Sequence, residues 1–86
     1  MQTATRREDI AFRKGEPRPV RVLLCAAHPF LTFAGECGCN REETATKERF
    51  IVAGTDYGYL HTSAGDMRFW RSASGARRAA KLYRAI

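Results

Sequence analysis

Residues 65–86, GDMRFWRSASGARRAAKLYRAI, predict a turn, a strand and a helix in that order. The opening Gly-Asp pair is typical of a tight turn. In the run 67–71, MRFWR, successive side chains would point to opposite faces of a sheet. Ser72 and Ser74 follow, and a serine hydroxyl at this place can accept a hydrogen bond from an unpaired N–H at the start of a helix. This order indicates a C-terminal helix that returns across a sheet.

The predicted helix, residues 72–86, has one apolar and one basic side. At about 100° per residue, small and apolar side chains gather on one side: Ala76, Ala79, Ala80, Tyr83 and Ile86, with Leu82 at its edge. The opposite side is basic and carries Arg77, Lys81 and Arg84, with Arg78 at its border. The alanines would let the helix lie close to a sheet.

Earlier segments complete the predicted sheet. The compact apolar run 20–27, VRVLLCAA, predicts a buried strand, and the polar stretch 40–48 is expected to be a surface loop or helical turn. Further strand candidates are 30–34, 49–54 and 57–62, the last forming a hairpin with 67–71. The predicted fold is α+β, a short antiparallel β-sheet of roughly three to five strands with one C-terminal amphipathic helix packed on it. The second face of the sheet is expected to be partly open.

At 86 residues the chain is expected to form one domain. Residues 1–19 are polar and contain GEPRP, which cannot continue a helix, so they are predicted to be a flexible N-terminal arm before a single α+β domain at 20–86. The longest apolar run, VLLCAA, is too short to cross a membrane, and no apolar stretch of a secretory signal follows the N-terminus. A cytoplasmic protein without membrane contact is expected.

The net charge of +6 comes entirely from the C-terminal end of the chain. Residues 1–66 contain nine Lys/Arg and nine Asp/Glu, whereas residues 67–86 contain six basic residues and no acidic one. Fields from neighbouring cations add within a Debye length of about 8–10 Å, so this cluster favours an anionic partner over a merely solvated helix face. An acidic protein surface or a nucleoprotein complex is expected, with DNA or RNA itself as the alternative.

The candidate partner-binding residues are Arg68, Trp70, Arg71, Arg77, Arg78, Lys81 and Arg84. An arginine beside an aromatic ring suits phosphate contact and base stacking, which contributes about 1–3 kcal/mol per base. Trp70 is also a natural core residue in so small a domain, and both interpretations stay open. The sequence determines neither the identity of the partner nor the oligomeric state.

The cysteines suggest a metal site as one alternative. The spacing C-x2-H-x8-C-x-C contains thiolate and imidazole groups that together could hold zinc in a tetrahedral site: Cys25, His28, Cys37 and Cys39. The short CxC pair and the place of Cys25 in a predicted buried strand favour free thiols instead, and a disulfide is the third alternative. No cofactor is therefore expected, with zinc and a zinc-stabilised adaptor as the alternative.

Catalysis is not predicted. No arrangement of nucleophile and base can be read from the sequence, and the stretch TSAGD lacks the spacing and the lysine of a phosphate-binding loop. The sequence therefore predicts a non-enzymatic binding protein that acts through its basic helix, or alternatively a small basic DNA- or RNA-binding protein.

The ending RFWRS followed by ARRAAKLY resembles the strand–serine–helix architecture of small accessory proteins of phages and mobile elements, anti-CRISPR proteins among them. The resemblance covers about the last thirty residues. It implies a compact α+β protein without catalytic residues that inhibits a larger complex in the host cytoplasm, for example a CRISPR effector. Anti-CRISPR proteins are often acidic, whereas this chain is basic. An inhibitor of this type would compete for guide RNA or target DNA, or bind an acidic protein surface.

Overall fold

The computed structural model describes residues 2–10, 15–27, 32–38, 46–56 and 58–84, apart from the side chain of Arg84. The elements in chain order are β1 (Thr3–Ala4), a short 3-10 helix (Arg7–Asp9), β2 (Arg18–Cys25), β3 (Thr46–Ala53) and α1 (Ala73–Arg84). The sheet has the order β1-β2-β3, with β1 parallel to β2 and β2 antiparallel to β3. The α+β class and the C-terminal helix are confirmed. The sheet is mixed, not wholly antiparallel as predicted, because β1 joins it in the parallel direction.

One face of the β2–β3 pair carries the larger core cluster. Val20 lies opposite Ile51, and this pair fixes the register that places both side chains on the same face. The buried residues of this cluster are Ala4, Ile10, Val20, Val22, Leu24, Phe33, Ile51, Ala53 and Met67. The face that was expected to be partly open is therefore covered by the N-terminal segment, by Phe33 and by Met67.

The opposite face of the sheet receives α1. Side chains alternate along a strand, so Phe50 and Val52 point away from Ile51 and meet Ala76 and Ala80 of the helix. An alanine has no atoms beyond Cβ, which allows the helix backbone to approach the strands closely. The C-terminal turn of the helix is held by a hydrogen bond in which the Asp56 N–H donates to the Tyr83 hydroxyl oxygen at 3.0 Å.

The segment 58–70 continues the sheet beyond β3 by single bridges. Phe50 and Trp70 exchange two backbone hydrogen bonds of 2.8 Å, and Tyr59 forms a bridge with Ala53. His61 faces Met67 across the turn that contains Gly65, whose φ is +91°. The predicted turn is thus present. The two arms predicted as regular strands form isolated bridges instead of continuous strands among the described residues. Tyr57 lies outside the described residues.

Two boundaries differ from prediction. β3 begins at Thr46, inside the stretch expected to be a loop or helical turn, because its polar end pairs with the C-terminal half of β2 at a solvated edge. The candidate strand at 30–34 contributes Phe33, which forms a bridge with Leu24, and residues 30 and 31 lie outside the described part.

The segment predicted to be a flexible arm includes residues that pack in the core. Ala4 is fully buried and pairs with Val22, and Ile10 is 5% exposed. Between them, the Asp9 carboxylate accepts a hydrogen bond from the Arg6 N–H at 3.1 Å. The flexibility of residues 1–19 stays a prediction.

Candidate binding surface

The exposed side of α1 is basic. Arg77, Arg78 and Lys81 are exposed, and the helix buries Ala76 and Ala80 on its other side. The sequence of α1, ASGARRAAKLYR, contains no carboxylate that could neutralise these cations within the helix. Arg84 continues the helix backbone, and its side chain lies outside the described part. We call Ser74, Arg77, Arg78 and Lys81, which line one shallow depression, the basic helix surface.

A second shallow groove lies between the basic helix surface and the start of β2. Its volume is about 200 Å³, and it is lined by Pro17, Arg18, Pro19, Arg77, Ala80 and Lys81. This is below the range of about 300–1,000 Å³ that is common for small-molecule sites. The groove therefore fits a side chain or group of a larger partner better than a whole metabolite.

Arg18 was not among the residues predicted to bind a partner, although it lines this groove. It lies at the start of β2, where its register partner in β3 is Ala53. Arg18 Nη1 donates to the Glu16 carbonyl oxygen at 3.4 Å. Three of the residues that line the groove are therefore cationic, Arg18, Arg77 and Lys81, and the others are apolar.

Trp70 lies half-buried at the border of the helix–sheet core. Its ring packs against the cluster of Phe50, Val52, Ala76 and Ala80. The guanidinium carbon of Arg68 lies 4.8 Å from its ring centroid. Trp70 therefore combines the two roles that the sequence left open: one part belongs to the core, and another part lies at the surface beneath an exposed cation.

Leu82 is the large apolar side chain that is exposed within the described residues, with 63% of its surface accessible. The sequence placed it at the edge of the inner side. The buried side is centred between Ala76 and Ala80, and at about 100° per residue Leu82 lies about 140° from that centre. The exposure of Leu82 follows once the structure shows that Ala76 and Ala80 are the alanines facing the sheet.

The structure divides the predicted binding residues between two flanks of α1. Arg77 and Lys81 border the groove at Pro17 and Pro19 on one flank. On the other flank, Trp70 contacts the helix at Gly75, and Arg68 stacks on its ring. Arg78 lies between the two flanks on the solvent side, and Arg71 is exposed at the end of the strand-like segment before the helix.

The cysteines give no metal site in the described part of the chain, where no group of three or more ligand residues converges. Cys25 is 1% exposed in β2, and Cys37 is partly exposed. Neither forms a disulfide among the residues described. His28 and Cys39, the other two candidate ligands, lie outside the described residues, so the zinc alternative stays a prediction.

Among the described residues, no helix is both long and apolar enough to span a membrane. No family model, curated protein or solved structure matches this chain.

Proposed function

We propose that this chain is a non-enzymatic binding protein that docks its basic helix surface on an anionic surface of a larger complex and thereby inhibits that complex. The observation that carries the proposal is the exposure of Arg77, Arg78 and Lys81 on a helix without a single carboxylate. A cytoplasmic inhibitor of a host-defence complex, such as a CRISPR effector, is the concrete form implied by the architectural resemblance.

The arrangement of these cations supports binding better than folding. Arg77 and Lys81 are four residues apart on α1, a spacing at which like charges destabilise a helix by about 0.2–0.5 kcal/mol. Arg77, Arg78 and Lys81 line one depression, and the fields of neighbouring cations add over a Debye length of about 8 Å. The repulsion between these cations destabilises the helix. A bound anion would offset this repulsion, which favours the binding of an anionic partner on the basic helix surface.

The shape of the surface also supports a macromolecular partner. The basic helix surface is a shallow, open depression, and the adjoining groove of about 200 Å³ is too small for most metabolites. An open cationic surface can cover an acidic protein patch or a phosphate backbone. Occupying such a site on a larger complex would exclude the complex's own ligand.

The experiment is an affinity pull-down from a lysate of the cells that contain the protein, with and without nuclease treatment. The test variant is Arg77→Gln/Arg78→Gln/Lys81→Gln. The control variant, Arg6→Gln/Arg7→Gln/Arg21→Gln, removes the same number of charges from exposed positions elsewhere. We expect a defined complex that survives nuclease, is retained by the control and is lost by the test variant.

The captured complex is then purified, and its activity is measured with increasing amounts of each protein. Inhibition by the wild type and the control, without inhibition by the test variant, supports the proposal. Equal capture by both variants would overturn the role of the basic helix surface. Material that disappears with nuclease would identify nucleic acid as the direct ligand.

A further inference from the structure

The side of α1 that faces Trp70 has a composition different from the basic helix surface. Leu82, Ala79 and Gly75 follow one another along this side at spacings of three and four residues, so they lie on one face of the helix. We call these three residues and Trp70 the Leu82 flank. We propose that this flank is the specificity site for the partner, and that it binds an acidic protein segment carrying a large apolar side chain. This inference rests on the proposed function.

The first observation is that the Leu82 flank runs from the edge of the core to an exposed leucine. Ala79 and Trp70 are partly buried and pack on the cluster that joins the sheet to α1. Leu82 lies one helical turn beyond Ala79 and is 63% exposed. A single exposed leucine is ordinary on a protein surface. Here, however, it lies one turn from Ala79, which packs on the same cluster as Trp70, so a partner side chain would find further apolar groups along this side of the helix.

The second observation is the charge around this apolar area. Arg78 precedes Leu82 by one turn of the helix and is exposed. Arg68 covers one face of Trp70 with its guanidinium group. An apolar centre beside cations is complementary to an apolar side chain flanked by carboxylates, and tryptophan and arginine are the residues that most often dominate binding energy at protein interfaces.

The same geometry disfavours single-stranded nucleic acid as the occupant. A base needs a free aromatic face on which to stack, and Arg68 already lies 4.8 Å from the centroid of the Trp70 ring. The exposed apolar group beside it is Leu82, whose side chain has no π face. Desolvation of Leu82 stabilises a complex only when the partner supplies apolar surface in return. A protein segment has such surface, whereas a phosphate backbone does not.

The probes are two synthetic peptides rich in glutamate, identical except for one central residue, which is phenylalanine in one and serine in the other. A single-stranded oligonucleotide is the third probe. Binding is followed by the fluorescence of Trp70, the single tryptophan of the chain. The dissociation constants are measured at two salt concentrations for the wild type, Leu82→Ser, Leu82→Met and Arg77→Gln/Arg78→Gln/Lys81→Gln.

We expect the wild type to bind the phenylalanine peptide about tenfold more tightly than the serine peptide, because a large apolar side chain is buried. Leu82→Ser should remove this preference while leaving the salt dependence unchanged, and Leu82→Met should keep it. The triple variant should bind both peptides more weakly. Leu82 is largely exposed, so the serine variant should keep the thermal unfolding midpoint of the wild type.

The outcomes separate the two proposals. Equal affinity of the wild type for both peptides, with weaker binding by the triple variant, overturns the role of the Leu82 flank and leaves the basic helix surface standing. Peptide binding that the triple variant retains overturns the proposed function. Tighter binding of the oligonucleotide than of either peptide, unaffected by Leu82→Ser, also overturns the inference and assigns the site to nucleic acid.

Discussion

The guanidinium carbon of Arg68 lies 4.8 Å from the centroid of the Trp70 ring, in the range of a cation–π contact. Such a contact contributes about 0.5–1 kcal/mol at an exposed site. It also shields one face of the ring from water. The exposed charge of Arg68 therefore lies directly on Trp70, which packs at the edge of the core beneath α1.

We expect Arg68→Gln to expose the Trp70 ring. Its fluorescence maximum should move to longer wavelength, quenching by acrylamide should increase, and the free energy of unfolding should fall by about 0.5 kcal/mol. Arg71→Gln is the control, because Arg71 is an exposed arginine of the same segment for which no ring contact is found within the described residues. Identical spectra for wild type and Arg68→Gln would show that the contact is absent in solution.

Gly75 and Trp70 should be energetically coupled. A Cβ added at Gly75 would lie 3.1 Å from Trp70 Cδ1 and 3.3 Å from the Ser72 Oγ, which is tighter than ordinary contact. Replacing a helical glycine by alanine normally stabilises by about 1 kcal/mol. We expect Gly75→Ala to stabilise less than this in the wild type, and to recover most of the gain in a Trp70→Ala background. Urea unfolding of the four proteins of this double-mutant cycle, followed by circular dichroism, measures the coupling. Simple additivity would contradict it.

Ser72 should be the N-terminal cap of α1. The Gly75 N–H donates to the Ser72 Oγ at 3.2 Å, which satisfies one of the helix's unpaired donors. We expect Ser72→Ala to lower the free energy of unfolding by about 1 kcal/mol. Ser74→Ala is the matched control, because Ser74 is exposed inside the helix, with its hydroxyl 3.3 Å from that of Ser72. It should change stability by less than about 0.5 kcal/mol. A larger loss of stability from Ser74→Ala than from Ser72→Ala would show that Ser72 is not the cap of the helix.

The parts of the fold that were predictable carry local signals. The helix has a serine cap and a clear period in its alanines, and β2 is a compact apolar run, so both were found within a few residues of their observed bounds. Strand alternation also predicts that Met67 and Phe69 lie on the face opposite Trp70. Met67 and Phe69 do pack in one core cluster and Trp70 in the other. Of the candidate binding residues, Arg77, Arg78 and Lys81 lie exposed as their place on the helix predicted.

The parts that were missed depend on non-local contacts. β1 has two residues, too few for any alternation, and it forms only because it can pair with β2 some eighteen positions along the chain, where Thr3 meets Arg21. The early start of β3 likewise depends on the partner strand, because its first residues are polar. The exposure of Leu82 depends on which alanines touch the sheet, and local pattern alone does not determine that centre.

The parallel pairing of β1 gives the sharpest test of the N-terminal segment. Ala4 is fully buried in the core cluster with Val20 and Val22, whereas its neighbour Thr3 is exposed. A carboxylate introduced at the buried position would lose its hydration without a compensating cation, which costs several kcal/mol. We therefore expect Ala4→Asp to lower the free energy of unfolding by about 3 kcal/mol or more.

Thr3→Asp is the matched control, because it adds the same charge one residue away. The Thr3 Oγ1 accepts a hydrogen bond from Arg21 Nε at 2.9 Å, and a carboxylate at that position can accept the same bond, so stability should change by less than about 0.5 kcal/mol. The Arg21 N–H, which donates to the Gln2 carbonyl oxygen at 2.9 Å, should exchange slowly with solvent in the wild type and rapidly in Ala4→Asp. If the segment were a flexible arm instead, both substitutions would be equally harmless and the Arg21 amide would exchange rapidly in every protein. The difference in unfolding free energy between Ala4→Asp and Thr3→Asp thus decides whether this segment is part of the folded sheet.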